Sequence, residues 1–361
     1  MLLNFFTDTL PGLWSSVWPY LLAILLFGIL IMIHELGHFT FAKIFKVRVN
    51  EFALGMGPAI LKKKKGDTQY ALRLFPIGGF VSMEGENDDS DDEHAFNKKP
   101  CWQRFIIVAA GAVLNLILGL VVFAVVLSQN ELQGTRIING FAEDAVSVNY
   151  GLKDGDEILK INNTHIYSYT GISYAMVRDE DNKLDMTVRR DGQTVELKDV
   201  QFAMQEIDGR QYMVWDFKVL GKETTVPLVL KGAVLDSIST IQLVRLSLTD
   251  ICTGKYGLKD LSGPVGTISI IAETTAQGVS IKEKLITALT LLSYITINVG
   301  VFNLLPIPAL DGGRLFFIIV EAIRRKPISR KYEGYVHATG LILLLAFMAV
   351  ITISDIYYRV I

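Results

Sequence analysis

Cysteine is nearly absent from this chain of 361 residues: Cys101 and Cys252 are its two, far apart and outside any CxxC pattern. That excludes a disulfide framework and a thiolate metal site, so any metal must be held by nitrogen and oxygen. Basic charge is not in excess. Lys and Arg number 35 against 37 Asp and Glu, a net charge of −2, which excludes the basic surface that a nucleic-acid partner would need. Residues 1–33 hold no Lys or Arg. They lack the basic start of a signal peptide, and their apolar run ends in a histidine motif rather than a small-residue cleavage site, so the segment is expected to remain in the mature protein.

What is present in quantity is apolar: 50% of the residues are hydrophobic and 20% are charged. The mixture is too apolar for an ordinary soluble protein and too charged for a wholly embedded one, and predicts several membrane spans with at least one water-exposed domain. Four stretches reach the roughly 20 residues that cross a bilayer. They are about Trp18–Lys43, Phe105–Leu127, Leu285–Leu305 and Tyr335–Ser354, with Trp102 and Arg104 read as interfacial anchors of the second. Lys and Arg crowd the connection between the first two spans (Lys43, Lys46, Arg48, Lys62 to Lys65) and the one before the last (Arg324, Arg325, Lys326, Arg330), which places both in the cytoplasm. The termini and the long 129–284 segment are then expected outside.

The predicted division is residues 1–128 with two spans and a β-rich loop, 129–228 as an outer α+β module, 229–284 as an amphipathic linker, and 285–361 with the last two spans. Within the linker, Ala233–Thr249 reads as an interfacial or packing helix interrupted by Arg245. Leu261-Ser262-Gly263-Pro264 reads as a turn. Between the first two spans, Thr68–Ser82 alternates polar and apolar residues up to Gly78-Gly79 and predicts a strand pair, after a glycine turn at Gly55, Gly57 and Pro58. A strand beside a membrane site offers an edge to an extended substrate, with Gly78, Gly79 and Phe80 at the contact, or else merely caps the helix ends. The acidic run Asp88–Glu93 reads as a solvated loop.

From Thr9 to Ala42 the only acidic or basic residues are His34, Glu35 and His38, in the sequence HELGH. On a helix His34 and His38, four apart, share a face and can present imidazoles to one metal ion, with Glu35 able to reach a water there. Ionisable groups in lipid are read as a functional site, since burial costs several kcal/mol without a partner. The third ligand of the long metzincin form is absent, because Phe41 and Ile44 stand where it needs glycine and histidine. Asp311 is the better candidate. It follows Asn303-Leu304-Leu305-Pro306-Ile307-Pro308-Ala309-Leu310, whose prolines break the third span, and Gly312-Gly313 behind it permits close backbone approach. Two nitrogens and one oxygen leave a fourth position for water, as catalytic zinc requires. His94, His165 and His337 are isolated, with His337 read as packed or interfacial. A metal transporter or a zinc-dependent scaffold, the rival reading, would need such residues strung along a path.

HELGH in the first span, LRLFPIGGFVSMEGE in the β-rich loop, a module carrying GLKDGDEILKIN (Gly151–Asn162), and NLLPIPALDGG in the third span together resemble the site-2 protease family of intramembrane metalloproteases, its bacterial RseP/RasP type above all. The resemblance covers nearly the whole chain in order. It implies a multi-pass α-helical membrane protein of about four transmembrane helices, with a membrane-associated β-hairpin or sheet and one extracytoplasmic PDZ-like α+β domain. It implies one zinc ion held by His34, His38 and Asp311, Glu35 as the catalytic carboxylate, and Asn303 as a substrate-holding residue. The activity implied is cleavage of single-span membrane proteins, such as anti-sigma factors or signal-peptide remnants, at the cytoplasmic side of the bacterial plasma membrane. Asn139–Ala145 lacks the proline expected of bacterial PDZ modules. Gly111-Ala112-Val113-Leu114-Asn115 departs from the family's G-P-x-x-N, a change expected to affect packing near the second span rather than chemistry.

Overall fold

A computed structural model describes residues 10–86, 88–179, 181–207, 210–255, 264–277 and 280–357. Of the expected turn at 261–264, all but Pro264 lies outside them. Along the chain, α1 (Leu10–Ile44) leads into β1 (Val49–Lys65), β2 (Thr68–Met83) and α2 (Cys101–Leu127). Then come β3 (Leu132–Phe141), β4 (Glu157–Ile161), β5 (Thr164–His165), α3 (Tyr169–Val177), β6 (Leu184–Arg190), β7 (Gln193–Val200), β8 (Met204–Ile207), β9 (Arg210–Met213) and β10 (Phe217–Glu223). Helices α4 (Val226–Cys252), α5 (Pro264–Ala276), α6 (Ile281–Leu304), α7 (Asp311–Arg324) and α8 (Arg330–Asp355) follow. Two compact units result, residues 1–122 with 247–361, and residues 123–246.

Among the described residues five helices are long and apolar enough to cross a membrane: Val17–Ile44, Cys101–Leu127, Val226–Cys252, Ile281–Leu304 and Lys331–Asp355. Four of them contain or closely match the expected spans. The remaining one, α4, extends the segment read as interfacial to 27 residues. Asp236, Arg245 and Asp250 interrupt its apolar pattern, which is why its length was not legible.

In the first unit the strand pair is more elaborate than its sequence suggests. Glu51–Leu54 pairs on one side with Gly79–Ser82 and on the other with Gln69–Leu72, which in turn pairs with Leu61–Lys64. Positive φ at Gly55, Gly57 and Gly78 makes the bends that fold two long strands into these layers. The Lys43 ammonium donates to the Thr68 hydroxyl at 2.7 Å, and that hydroxyl donates to the Val49 carbonyl at 2.8 Å, tying the sheet to the end of α1. A buried core of Ala42, Val47, Val49, Val81, Met83, Phe96, Ile107, Val108, Leu315 and Ile318 joins α1, the sheet, α2 and α7. The platform under HELGH is therefore a mixed helix and sheet core.

Two expectations in this unit are corrected. Arg104 is no interfacial anchor. It is 3% exposed and bonds the Glu321 carboxylate at 2.6 and 3.1 Å, because the amphipathic helix α7 brings an acid to meet it. The acidic run is not merely solvated either: Asp92 pairs with Arg48 and accepts the backbone N–H of His94 at 2.8 Å.

The second unit is built on an antiparallel sheet in the order β10-β3-β4-β6-β7, with β5 on β4. Its core includes Ile158, Ile161, Ile172, Leu184, Met186 and Val188. The Gly151–Asn162 motif is structural there. Gly151 and Gly155 take positive φ in the turn, and the fully buried Asp156 accepts two bonds from Arg190 at 2.7 Å and one from the Lys153 N–H at 2.9 Å.

Candidate metal centre

The uncharged run of α1 makes HELGH helical, so His34 and His38 lie one turn apart, edge to face, with ring centroids 4.8 Å apart and planes at 84°. Glycine governs what can approach them. A Cβ on Gly37 would lie 2.5 Å from the Ala110 carbonyl, and one on Gly111 would lie 2.4 Å from His38 Nε2, so α1 and α2 cross where neither has a side chain. α2 then supplies two bonds that orient the imidazoles. His38 Nδ1–H donates to the Ile107 carbonyl at 2.9 Å, which leaves a lone pair on Nε2. The Asn115 amide lies 3.2 Å from His34 Nδ1. The two orientations of an amide are isosteric. With its oxygen on this contact, Asn115 accepts from Nδ1–H and leaves His34 Nε2 as a lone pair too.

The third group comes from a break in the chain. α6 stops at Leu304 ahead of Pro306 and Pro308, Ala309 turns with a φ of +76°, and α7 restarts at Asp311. A Cβ on Gly312 would meet the Leu305 carbonyl at 1.9 Å, so only glycine lets the loop fold this tightly. Asp311 sits in the first turn of α7, where the helix end favours a carboxylate. Its Oδ2 lies 3.2 Å from His34 Nε2 and 3.2 Å from His38 Nε2, and the two nitrogens lie 3.2 Å from each other.

These three atoms form an equilateral triangle of lone-pair donors. A tetrahedral ion with bonds of about 2.0–2.1 Å spaces its ligands by roughly 3.3 Å, so the triangle fits one face of a zinc coordination sphere. Asp311 Oδ2 is buried without a hydrogen-bond partner among the described residues. A cation at the centre removes both the mutual repulsion and the unmet acceptor.

Beside the triangle lies a cavity of about 360 Å³ lined by His34, Glu35, His38, Phe80, Val81, Met83, Glu86, Val108, Asp311, Arg314 and His337, among others. Gly79 backs Glu35, since a Cβ there would sit 3.2 Å from Glu35 Cγ. Phe80 lines the cavity and carries the Arg73 guanidinium 4.9 Å above its ring, whereas Gly78 packs against Met56. Asn303 lies half-buried at the end of α6 and is not among the lining residues.

Gly111 and Asn115 both touch the histidines, while Ala112, the residue at which that segment departs from the expected pattern, is fully buried and does not line the cavity. Asn115, 0% exposed within an uncharged span, carried a signal in its cost of burial. The Ile107 carbonyl carried none, since a backbone group has no sequence signature. Glu86 pairs with Arg314 at the cavity wall, and neither was singled out for this site.

The profile of peptidase family M50 matches residues 22–347. A protein of Clostridium acetobutylicum assigned as a zinc metalloprotease is 36% identical, the alignment covering 96% of this chain and 99% of that protein. One of Clostridium perfringens, similarly assigned, is 35% identical over 94% of this chain and 98% of its own length. The regulator of sigma-W protease RasP of Bacillus subtilis is 29% identical over 92% of this chain and 97% of its own length. With a histidine, histidine and aspartate triangle inside apolar helices and this family match, the chain belongs to peptidase family M50 and is a zinc metalloprotease of the site-2 type.

Proposed function

We propose that this protein is an intramembrane endopeptidase that cuts the transmembrane segments of single-span proteins, anti-sigma factors or signal-peptide remnants being the substrate class. The observation that carries it is the cavity in which the His34, His38 and Asp311 triangle meets Glu35 and Phe80, Val81 and Met83 of β2. His34, His38 and Asp311 are the zinc ligands in this reading. Zinc, when bound, supplies a Lewis acid that lowers the pKa of water to about 7 and polarises a carbonyl. Glu35 accepts the proton of the attacking water on its carboxylate and delivers it to the amine nitrogen as the peptide C–N bond breaks. Gly79 keeps that carboxylate uncrowded.

A helical substrate must unwind first, because its amides are bonded internally. Gly79–Ser82 has pairing to Glu51–Leu54 on one side, and the cavity lies beside it, so an unwound segment can add as a further strand against Gly79 and Phe80. Asn303, away from the lining, could act only on a substrate reaching further towards α6.

Four crossings are supported by direction. α1 and α6 both end beside the triangle, so they run the same way through the membrane, and an odd number of crossings must separate them. On this reading α2 makes that crossing, and α4, with Asp236, Arg245 and Asp250 within it, lies at the interface. The Lys and Arg distribution favours a cytoplasmic face for the site and an external PDZ-like unit, which admits trimmed substrates by excluding bulky external domains or by binding new C-termini.

The test is co-expression of a tagged single-span substrate with wild type and with Glu35→Gln. Loss of cleavage with zinc retained is expected. Equal cleavage by both removes Glu35 from the reaction.

A further inference from the structure

His337, on α8, lines the same cavity as Glu35 and Asp311, and its two ring nitrogens are in different circumstances. The backbone N–H of Ala309 donates to Nδ1 at 3.1 Å, so the neutral ring carries its proton on Nε2. Nε2 is buried and has no hydrogen-bond partner among the described residues. The ring is held from both sides: its Cε1 lies 3.1 Å from where Gly313 would carry a Cβ, and the Phe317 ring centroid is 5.8 Å away. A buried N–H without an acceptor is costly, and it persists where a ligand supplies the acceptor. The ligand that this cavity takes is a peptide, whose acceptors are carbonyl oxygens.

We infer that His337 is a further catalytic residue whose Nε2–H donates to the carbonyl oxygen of the peptide bond being cut. As the water oxygen bonds to the carbonyl carbon, the C=O π pair moves onto that oxygen. Nε2–H donates to the growing negative charge and keeps its proton throughout, the role of an oxyanion donor. The assignment rests on the proteolytic reading above. It differs from a purely structural role, in which His337 only latches Ala309 and so places Asp311.

The two roles separate by variant. In His337→Asn the side-chain oxygen falls near the position of Nδ1 and can still accept from Ala309, but nothing reaches the place of Nε2. In His337→Gln an N–H returns to that place. Purified full-length protein in detergent micelles, with a single-span test substrate lacking its external domain, gives zinc content, kcat and KM. The expected result is His337→Asn with one zinc per chain, kcat down about 100-fold and KM within about twofold, and partial recovery of kcat in His337→Gln. Wild-type kcat in His337→Asn overturns the donor role. So does slowing that only follows loss of zinc, which leaves a latch. Failure of the parent reading shows separately, as wild type and Glu35→Gln leaving equal amounts of substrate whole, and the donor falls with it.

Discussion

His38 donates its Nδ1 proton to the carbonyl of Ile107 across the crossing of α1 and α2, so the direction of its Nε2 depends on how closely the two helices approach. Gly111 sets that approach. In Gly111→Ala the new methyl would sit 2.4 Å from His38 Nε2, among the atoms that face the metal. The purified variant is expected to be helical by circular dichroism, to hold less than a tenth of the zinc of wild type and to lack cleavage. Full zinc occupancy in Gly111→Ala would show that the crossing relaxes without moving the imidazole.

Asn115 orients His34 as Ile107 orients His38. Loss of such an orienting partner weakens metal affinity by about 10–100-fold. Asn115→Leu should show that loss in competition with a chelator. Asn115→Asp offers only acceptors to Nδ1–H and should keep zinc near wild-type affinity. The reverse order would mean that the amide presents its nitrogen to His34 and that Nδ1, not Nε2, holds the lone pair.

HELGH was legible because three chemistry-bearing residues stood in an otherwise uncharged run, and the proline break before Asp311 was legible because proline cannot continue a helix. Both signals are local. The partners that orient the histidines were not, since Asn115 and the Ile107 carbonyl act only once α2 lies against α1, a fact of tertiary packing. Arg104 misled for the same reason. An arginine at a span's end reads as an anchor until Glu321, more than two hundred positions on, is placed beside it. The strands were half legible: alternation marked Thr68–Ser82, but the charged stretch Lys62–Lys65 hid the other part of the sheet.

The loop after β2 is held by carboxylates, which gives it a pH dependence. The His94 backbone N–H first, and then the Arg48 guanidinium, hold the Asp92 carboxyl below its ordinary range. The Ser90 hydroxyl, followed by the Asn50 amide, does the same for Glu84. A lowered folded-state pKa gives stability that is complete above the unfolded value and lost as pH falls through the folded one. Amide protection across residues 84–97, corrected for intrinsic exchange, should therefore be flat from pH 7 to about 5 and fall only below about pH 4. Asp92→Asn should weaken protection at neutral pH and flatten the profile. Wild-type protection that stays flat down to about pH 3 would show that these carboxylates do not hold the loop.

Arg104 and Glu321 join the start of α2 to α7, the helix that begins with Asp311, so their loss tests whether the site depends on a distant buried charge pair. The side chains are 4% and 18% exposed, and Arg104 also donates to the Lys99 carbonyl at 3.0 Å. A buried pair adds little net stability, because the desolvation of both ions offsets their attraction. Removing one partner strands the other and costs about 3–5 kcal/mol. Arg104→Met is therefore expected to lower Tm in detergent markedly and to shed zinc at temperatures where wild type keeps it. The double variant Arg104→Met with Glu321→Leu strands no charge and should recover most of the Tm. Recovery of Tm together with zinc would show that α7 is placed by packing of Leu315 and Ile318, with the pair serving only its own neutrality. Recovery of Tm without zinc would show that the ion pair itself sets the position of Asp311.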